Sequence, residues 1–110
     1  MSKKKRIYIS GKITGTPMSE YLAKFQEAED FLKAKGYDVI NPAKVNHYLP
    51  PDSTHYRDYI DMSLCMLRQA DYIYLLEDWY SSKGATLEMY FALCYGISIL
   101  YQEMPFDSQV

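Results

Sequence analysis

Short apolar runs recur along this chain. Between them lie longer stretches in which apolar positions return every three or four residues. Arg6-Ile7-Tyr8-Ile9-Ser10 reads as a buried strand, stopped by Gly11. Residues 12–18 form a loop with Gly15 and Pro17, and a helix follows from Thr16 or Ser19 to Lys35. Pro17 suits a first helical position behind a Thr16 cap, and Ser19 is the other candidate cap. Leu22, Phe25, Ala28 (or Glu29) and Leu32 recur at helical spacing as its core face. Lys33, Lys35 and Gly36 mark its end. Residues 37–40 form a second strand, closed by Asn41-Pro42. Residues 43–53, with Pro50-Pro51, form a long loop with room for one helical turn. A helix capped by Thr54 or Ser53 then runs to Gln69, with Tyr56, Ile60, Leu64 (or Ser63), Leu67 and Ala70 facing inward. Residues 71–76 form the third strand. A polar loop leads into a helix that starts at Gly84 and ends at Tyr95, with Leu87, Phe91 and Tyr95 (or Cys94) as its apolar stripe. Residues 97–101 form the fourth strand, and 102–110 a short tail.

Strand and helix alternate throughout, so the expected fold is α/β. It has a parallel sheet of about four strands with helices on both faces. The order 2-1-3-4 makes a three-layer, flavodoxin-like (Rossmann-like) sheet. No repeat, low-complexity run or linker divides residues 1–110, which read as a single domain. In such sheets ligands bind beyond the carboxyl ends of the strands, where the strand order reverses. That point lies between strands one and three. It gathers the loop Ser10-Gly11-Lys12-Ile13-Thr14-Gly15 and the loop at residues 77–83. Glu88 follows, in the first turn or so of the next helix, where the positive end of the helix dipole favours an ionised carboxylate.

Composition narrows the class of partner. The net charge of −2 argues against an electrostatically driven binder of nucleic-acid polymers. The basic run Lys3-Lys4-Lys5-Arg6 reads as a solvated flank. No apolar stretch is long enough to span a membrane and no signal-peptide pattern is present. Cys65 and Cys94 fall at apolar helical positions without metal spacing, as buried free thiols of a cytoplasmic protein. His47 and His55 have no carboxylate or cysteine partner at ligand spacing, and no metal site is expected. Twelve tyrosines in 110 residues point to rings at core edges, in a pocket or at a subunit interface. A homodimer or larger assembly is expected.

The residues that carry chemistry centre on Glu88. A fixed carboxylate can attack the anomeric carbon of a sugar, or stabilise the positive charge that builds there as an N-glycosidic bond breaks. The alternative, a glutamate beside the apolar stripe of an amphipathic helix, has equal weight from the residues alone. Ser10, Gly11, Lys12 and Gly15 offer a small-residue loop that a ligand can approach, or an ordinary strand-to-helix turn. The glycine spacing is not that of a dinucleotide site. Ser82 is either the N-cap of the last helix or a sugar or phosphate ligand. Trp79 is either a base-stacking ring or a loop anchor. Asp78 stands at the end of strand three, where a catalytic or ribose-binding group belongs, and Asp61 is a further possible acid.

Four segments, Ile7-Tyr8-Ile9-Ser10-Gly11-Lys12-Ile13-Thr14-Gly15, Asn41-Pro42-Ala43, Ala70-Asp71-Tyr72-Ile73-Tyr74-Leu75-Leu76, and Trp79 with Ser82-x-Gly84-Ala85-x-x-Glu88, resemble the nucleoside 2-deoxyribosyltransferase-like superfamily. The resemblance is nearest to a small bacterial and phage branch of it. It implies Glu88 as nucleophile and Tyr8 as the phenol that orients it. It also implies a loop at residues 11–15 against base or 5′-phosphate, and Ser82 at a place where the transferases carry an aspartate. It further implies no cofactor, and assemblies in which a neighbour completes the site. The acid such enzymes place before strand three falls here on Ser63, with Asp61 close by in sequence. Thr14 stands near an arginine position of the nucleotide hydrolases, and Lys12 offers a charge instead. Catalytic candidates are therefore Glu88, Tyr8 and Asp61. Substrate-binding candidates are Ser10, Gly11, Lys12, Gly15, Asn41, Asp78, Trp79, Ser82 and Gly84. The small molecule would be a nucleoside or nucleotide, cleaved at its N-glycosidic bond or used in deoxyribosyl transfer. The competing reading is a nucleotide-binding or sensing module that kept the fold without catalysis.

Overall fold

The computed structural model describes residues 4–46, 49 and 53–102. His47, Pro50-Pro51 and the tail at 103–110 lie outside the described residues. The elements in chain order are β1 (Arg6–Ser10), α1 (Met18–Ala34), β2 (Asp38–Ile40), α2 (Pro42–Asn46), α3 (Tyr56–Leu67), β3 (Tyr72–Leu75), α4 (Lys83–Tyr95) and β4 (Ser98–Tyr101). A 3-10 turn, Trp79–Ser81, precedes α4. All strand pairs are parallel and the sheet order is β2-β1-β3-β4, as the alternation of elements predicts.

The two-residue period of β1 divides the core. Ile7 and Ile9 pack with Phe25, Ala28 and Leu32 of α1 and Ala43 of α2. Tyr8 points the other way, into a cluster with Leu67 of α3 and Ala92 of α4. Ser10 shares the Tyr8 face by the same alternation. The strand therefore aims its two hydroxyl side chains at the layer that carries Glu88.

Several local expectations are corrected. Neither Thr16 nor Ser19 caps α1. Pro17 holds the cap position and makes no side-chain cap bond, while its carbonyl accepts from Glu20 and Tyr21. The helix ends as its sequence predicts. Gly36, at φ 96°, lets its own N–H reach Lys33 and that of Tyr37 reach Leu32. For α3 the cap is His55, not Thr54 or Ser53, and the Asp58 carboxylate accepts from the His55 N–H at 3.2 Å. Within α3, Ser63 and Leu67 are buried, whereas Tyr56 is 49% exposed.

The largest correction concerns α4. Its buried face is Ala85, Glu88 and Ala92, while Leu87, Tyr95 and Cys94 are exposed. Apolar residues surround this helix, so their spacing alone does not select a face. The small side chains of Ala85 and Ala92 let the helix lie close against the sheet. Cys65 is exposed as well, so the expected burial of the two thiols is overturned. Both sit on outer faces of their helices.

One buried charge supports the frame away from the site. Glu29 of α1 is 4% exposed and accepts from Lys33 at 2.8 Å, Lys44 of α2 at 3.0 Å and Asn41 at 3.1 Å. Burial pushes its pKa up, but the hydrogen bonds from Lys33, Lys44 and Asn41 outweigh this and bring it down to about 2. A carboxyl lowered on folding stabilises the protein above its ordinary value of 4.5, and that contribution fades as the pH falls through about 2. Glu29→Gln should cost roughly 2 kcal/mol at pH 7, allowing for the half-exposed lysines. Urea titrations should show the gap to the native protein closing toward pH 2. A gap unchanged by pH would count against this ion cluster.

Candidate active site

The site begins with the reach of Glu88. From α4 its carboxylate spans to β1 and accepts two short hydrogen bonds. The Tyr8 hydroxyl donates to Oε2 at 2.6 Å and the Ser10 hydroxyl donates to Oε1 at 2.6 Å. Glu88 is only 6% exposed, and the buried Ser63 of α3 lies near it. Burial raises the Glu88 pKa above its ordinary value. Hydrogen bonds from Ser10, Tyr8 and Ser63 oppose that rise without cancelling it. The Tyr8 phenol is raised well above 10 by its own burial, then by the charge and the hydrogen bond of Glu88, so it remains a proton donor.

The helix dipole does little to keep Glu88 ionised. It is the sixth residue of α4, counted from Lys83, and therefore lies in the second turn. The helix-terminal charge fades within the first turn. The Tyr8 and Ser10 hydroxyls offset part of the cost of burying the charge, and the pKa stays raised. Each carboxylate oxygen has two acceptor sites, so each oxygen bonded by one of these hydroxyls keeps one lone pair for chemistry.

Glu88 opens on a cavity of about 430 Å³. One wall is the β1–α1 loop, with Gly11, Lys12, Ile13 and Thr14. Another is the start of α4, with Ser81, Ser82, Lys83, Gly84 and Ala85. Tyr21 of α1 and Tyr56, Tyr59, Ile60 and Ser63 of α3 close the rest. Ser82 is the helix cap, and its Oγ accepts from the Ala85 N–H at 3.1 Å while the residue also lines the cavity. Its two sequence readings are thus compatible.

The expected site residues are not all brought together. Gly11, Lys12, Ser82, Gly84 and Glu88 line the cavity, and Tyr8 and Ser10 hold Glu88 from β1. Asp61 is exposed and does not line it. Two residues along a helix rotate a side chain by roughly 200°, which turns Asp61 away from the face that carries Ser63. Asn41 is 8% exposed and tied to Glu29, with its Oδ1 accepting from the Ala43 N–H. Trp79 packs against the core and the rings of Tyr80 and Tyr101. Gly15 is an exposed turn residue at φ 81°. Asp78 accepts from the Lys12 N–H at 3.1 Å and pairs with Lys24, outside the cavity lining.

The three cavity tyrosines were not singled out from the chain. Tyr56 was assigned to the core stripe of α3, because apolar spacing does not separate a core position from a cavity wall. The signal available was the excess of tyrosine, which marks surfaces apolar on one side and wet on the other. Among the described residues, no group of three or more His, Cys, Asp and Glu side chains is placed to hold a metal ion. No described helix is long and apolar enough to cross a membrane.

Gly84 gives a direct test of the cavity wall. A Cβ added there would lie 3.5 Å from the Tyr56 hydroxyl and 3.6 Å from Ile60 Cδ1, which is ordinary contact. Gly84→Ala should therefore fold normally, with stability unchanged or raised by about 0.5 kcal/mol. The added methyl narrows the cavity, so KM for a bound substrate should rise. An unchanged KM would remove this wall from the binding site.

The fold resembles solved enzymes of one kind. A 2-deoxyribosyltransferase from Bacillus psychrosaccharolyticus superposes with a TM-score of 0.66 at 16% sequence identity, over 93% of this chain and 78% of that one. A 2-desoxiribosyltransferase from Leishmania mexicana gives 0.65 at 19% identity, over 96% of this chain and 70% of that one. The class is therefore an α/β protein that shares its fold with these two enzymes. The chain belongs to the family described as Domain of unknown function (DUF4406), which matches residues 5–101. Comparison with curated proteins found no match.

Proposed function

We propose that this protein cleaves the N-glycosidic bond of a nucleoside or nucleotide, with Glu88 as the nucleophile. The observation that carries this reading is the buried Glu88 carboxylate, held by Tyr8 and Ser10 at the wall of a cavity. The fold shared with deoxyribosyltransferases supports it. In the first step a Glu88 oxygen bonds to the anomeric carbon while the C–N bond breaks. The bonding pair leaves with the base, which takes up a proton from solvent, and the attacking water or base returns one to solvent in the next step. In the second step water, or the nitrogen of another base, displaces the carboxylate and yields free sugar or a new nucleoside. The Tyr8 and Ser10 hydroxyls keep the carboxylate in one orientation as its charge is consumed and restored.

Ser63 favours a second reading, a binding module without turnover. It is buried, faces Glu88 and stands where the resemblance leads one to expect an acid. Chromatographic detection of free base from a panel of nucleosides and their monophosphates, ribo and deoxy, separates the two. Base release establishes glycosidic chemistry. Calorimetric binding with no base released over long incubation establishes the module, and a protein that neither releases base nor binds overturns both readings.

A further inference from the structure

Asp78 lies in the turn between β3 and the 3-10 segment before α4, a natural place for a ligand-binding carboxylate. Its oxygens are committed elsewhere. Oδ1 accepts from the Lys12 backbone N–H at 3.1 Å, and Oδ2 pairs with the Lys24 ammonium. The same ammonium donates to the Lys12 carbonyl at 3.1 Å. One peptide segment of the β1–α1 loop is thus gripped at its N–H by an acid from the β3–α4 connection. It is gripped at its carbonyl by a base from α1. Asp78 and Lys24 are each about one-quarter exposed, at 28% and 26%, so the ring is partly shielded from water.

The gripped segment is a wall of the cavity. Gly11, Lys12, Ile13 and Thr14 all line it. Gly11 is packed so closely on Leu76 that a Cβ there would meet Leu76 Cδ1 at 2.7 Å. The loop is therefore pressed against the sheet at Gly11 and clamped one residue later. Beyond Thr16, whose N–H reaches the Ile13 carbonyl at 3.0 Å, the chain passes into α1. Glu88 takes its two short hydrogen bonds from Tyr8 and Ser10 of β1, not from this loop.

We infer that Asp78 and Lys24 are positioning residues that hold the loop at 11–14 in its ligand-ready shape, and that neither contacts the substrate. This rests on the proposed glycosidic activity for its kinetic consequence, but not for its structural one. Without the clamp, substrate binding weakens because the loop must be ordered at each encounter, whereas chemistry at Glu88 proceeds as before once substrate is bound.

The test compares the native protein with Asp78→Ala, Lys24→Met and the double variant, using Asp78→Asn as the conservative control. Amide hydrogen exchange at Lys12 should accelerate about 10- to 100-fold in either single variant, the scale of a charge-assisted hydrogen bond. The urea midpoint should barely move, and the double variant should add little to the single ones. Asp78→Asn keeps an acceptor for the Lys12 N–H and should fall between. In the base-release assay KM should rise by a similar factor with kcat within about twofold. Unchanged loop exchange in both single variants overturns the inference, and so does a fall in kcat at constant KM, which would mark Asp78 as a catalytic residue. Should Asp78→Ala fail to fold, Lys24→Met decides alone. A native protein that releases no base defeats the glycosidic reading, while loop exchange still decides the clamp.

Discussion

Glu88→Gln should abolish base release, by about 10³-fold or more, while leaving the fold intact. An amide cannot form the ester, yet it fills the same volume. The Tyr8 and Ser10 hydroxyls can each turn to donate or accept against it. The stability of this variant carries the sharper test. The Glu88 pKa is raised in the folded state by burial, with hydrogen bonds from Ser10, Tyr8 and Ser63 only partly opposing the rise. The folded protein thus holds this proton more tightly than the unfolded chain does. Its contribution to stability is fully present below the ordinary value of 4.5 and is lost as the pH rises through the elevated folded value. Near neutral pH the native state bears the cost of a buried anion, and the neutral glutamine removes that cost. The variant should therefore be at least as stable as the native protein at pH 7.5, with its advantage shrinking toward pH 4. Thermal melts across that range read this directly. A variant that loses stability as the pH rises relative to the native protein would mean that Glu88 is held as a structural anion, not as a strained nucleophile.

Tyr8→Phe should lower kcat/KM by about 10- to 100-fold and move the acid limb of its pH profile upward. The Tyr8 hydroxyl gives Oε2 of Glu88 its 2.6 Å hydrogen bond. Removing a donor from an ionised carboxylate makes ionisation harder, so the nucleophile becomes active only at higher pH, by roughly one unit. The phenylalanine ring keeps the core contacts with Leu67, Ile73 and Ala92, so any loss of stability should be small beside the loss of rate. An acid limb that stays in place, with only the overall rate reduced, would show that Tyr8 acts through packing and does not tune Glu88.

Parts of the candidate site were legible because they depend on strand period and topology. A parallel sheet reversing between β1 and β3 places the loops after those strands side by side, whatever their side chains. A strand alternates faces, so Tyr8 and Ser10 had to point to the same layer. Glu88 was legible as a residue but not as an environment. Its helix carries apolar residues all round, and only packing shows that Ala85, Glu88 and Ala92 form the buried face. Asp78 was misleading for the opposite reason. Its position in the turn after a strand suits a ligand, whereas its two oxygens are taken by Lys12 and Lys24, one of them a backbone group that no side-chain pattern reveals.

By itself the sequence determined the order and type of the elements, the sheet order and the crevice that follows from it. These arise from local periodicity, glycine and proline stops, and the short connections that parallel strands require. Only the tertiary structure decided that Glu88 is buried against the Tyr8 and Ser10 hydroxyls with a raised pKa. It also decided that three tyrosines wall the cavity, and that Asn41 and Trp79 serve the frame rather than the cavity. Those outcomes depend on the rotation of the helices about their own axes and on how the connections between elements pack. Helix rotation is set by which side chains fit against the sheet, a matter of volume and contact that the spacing of apolar residues leaves open.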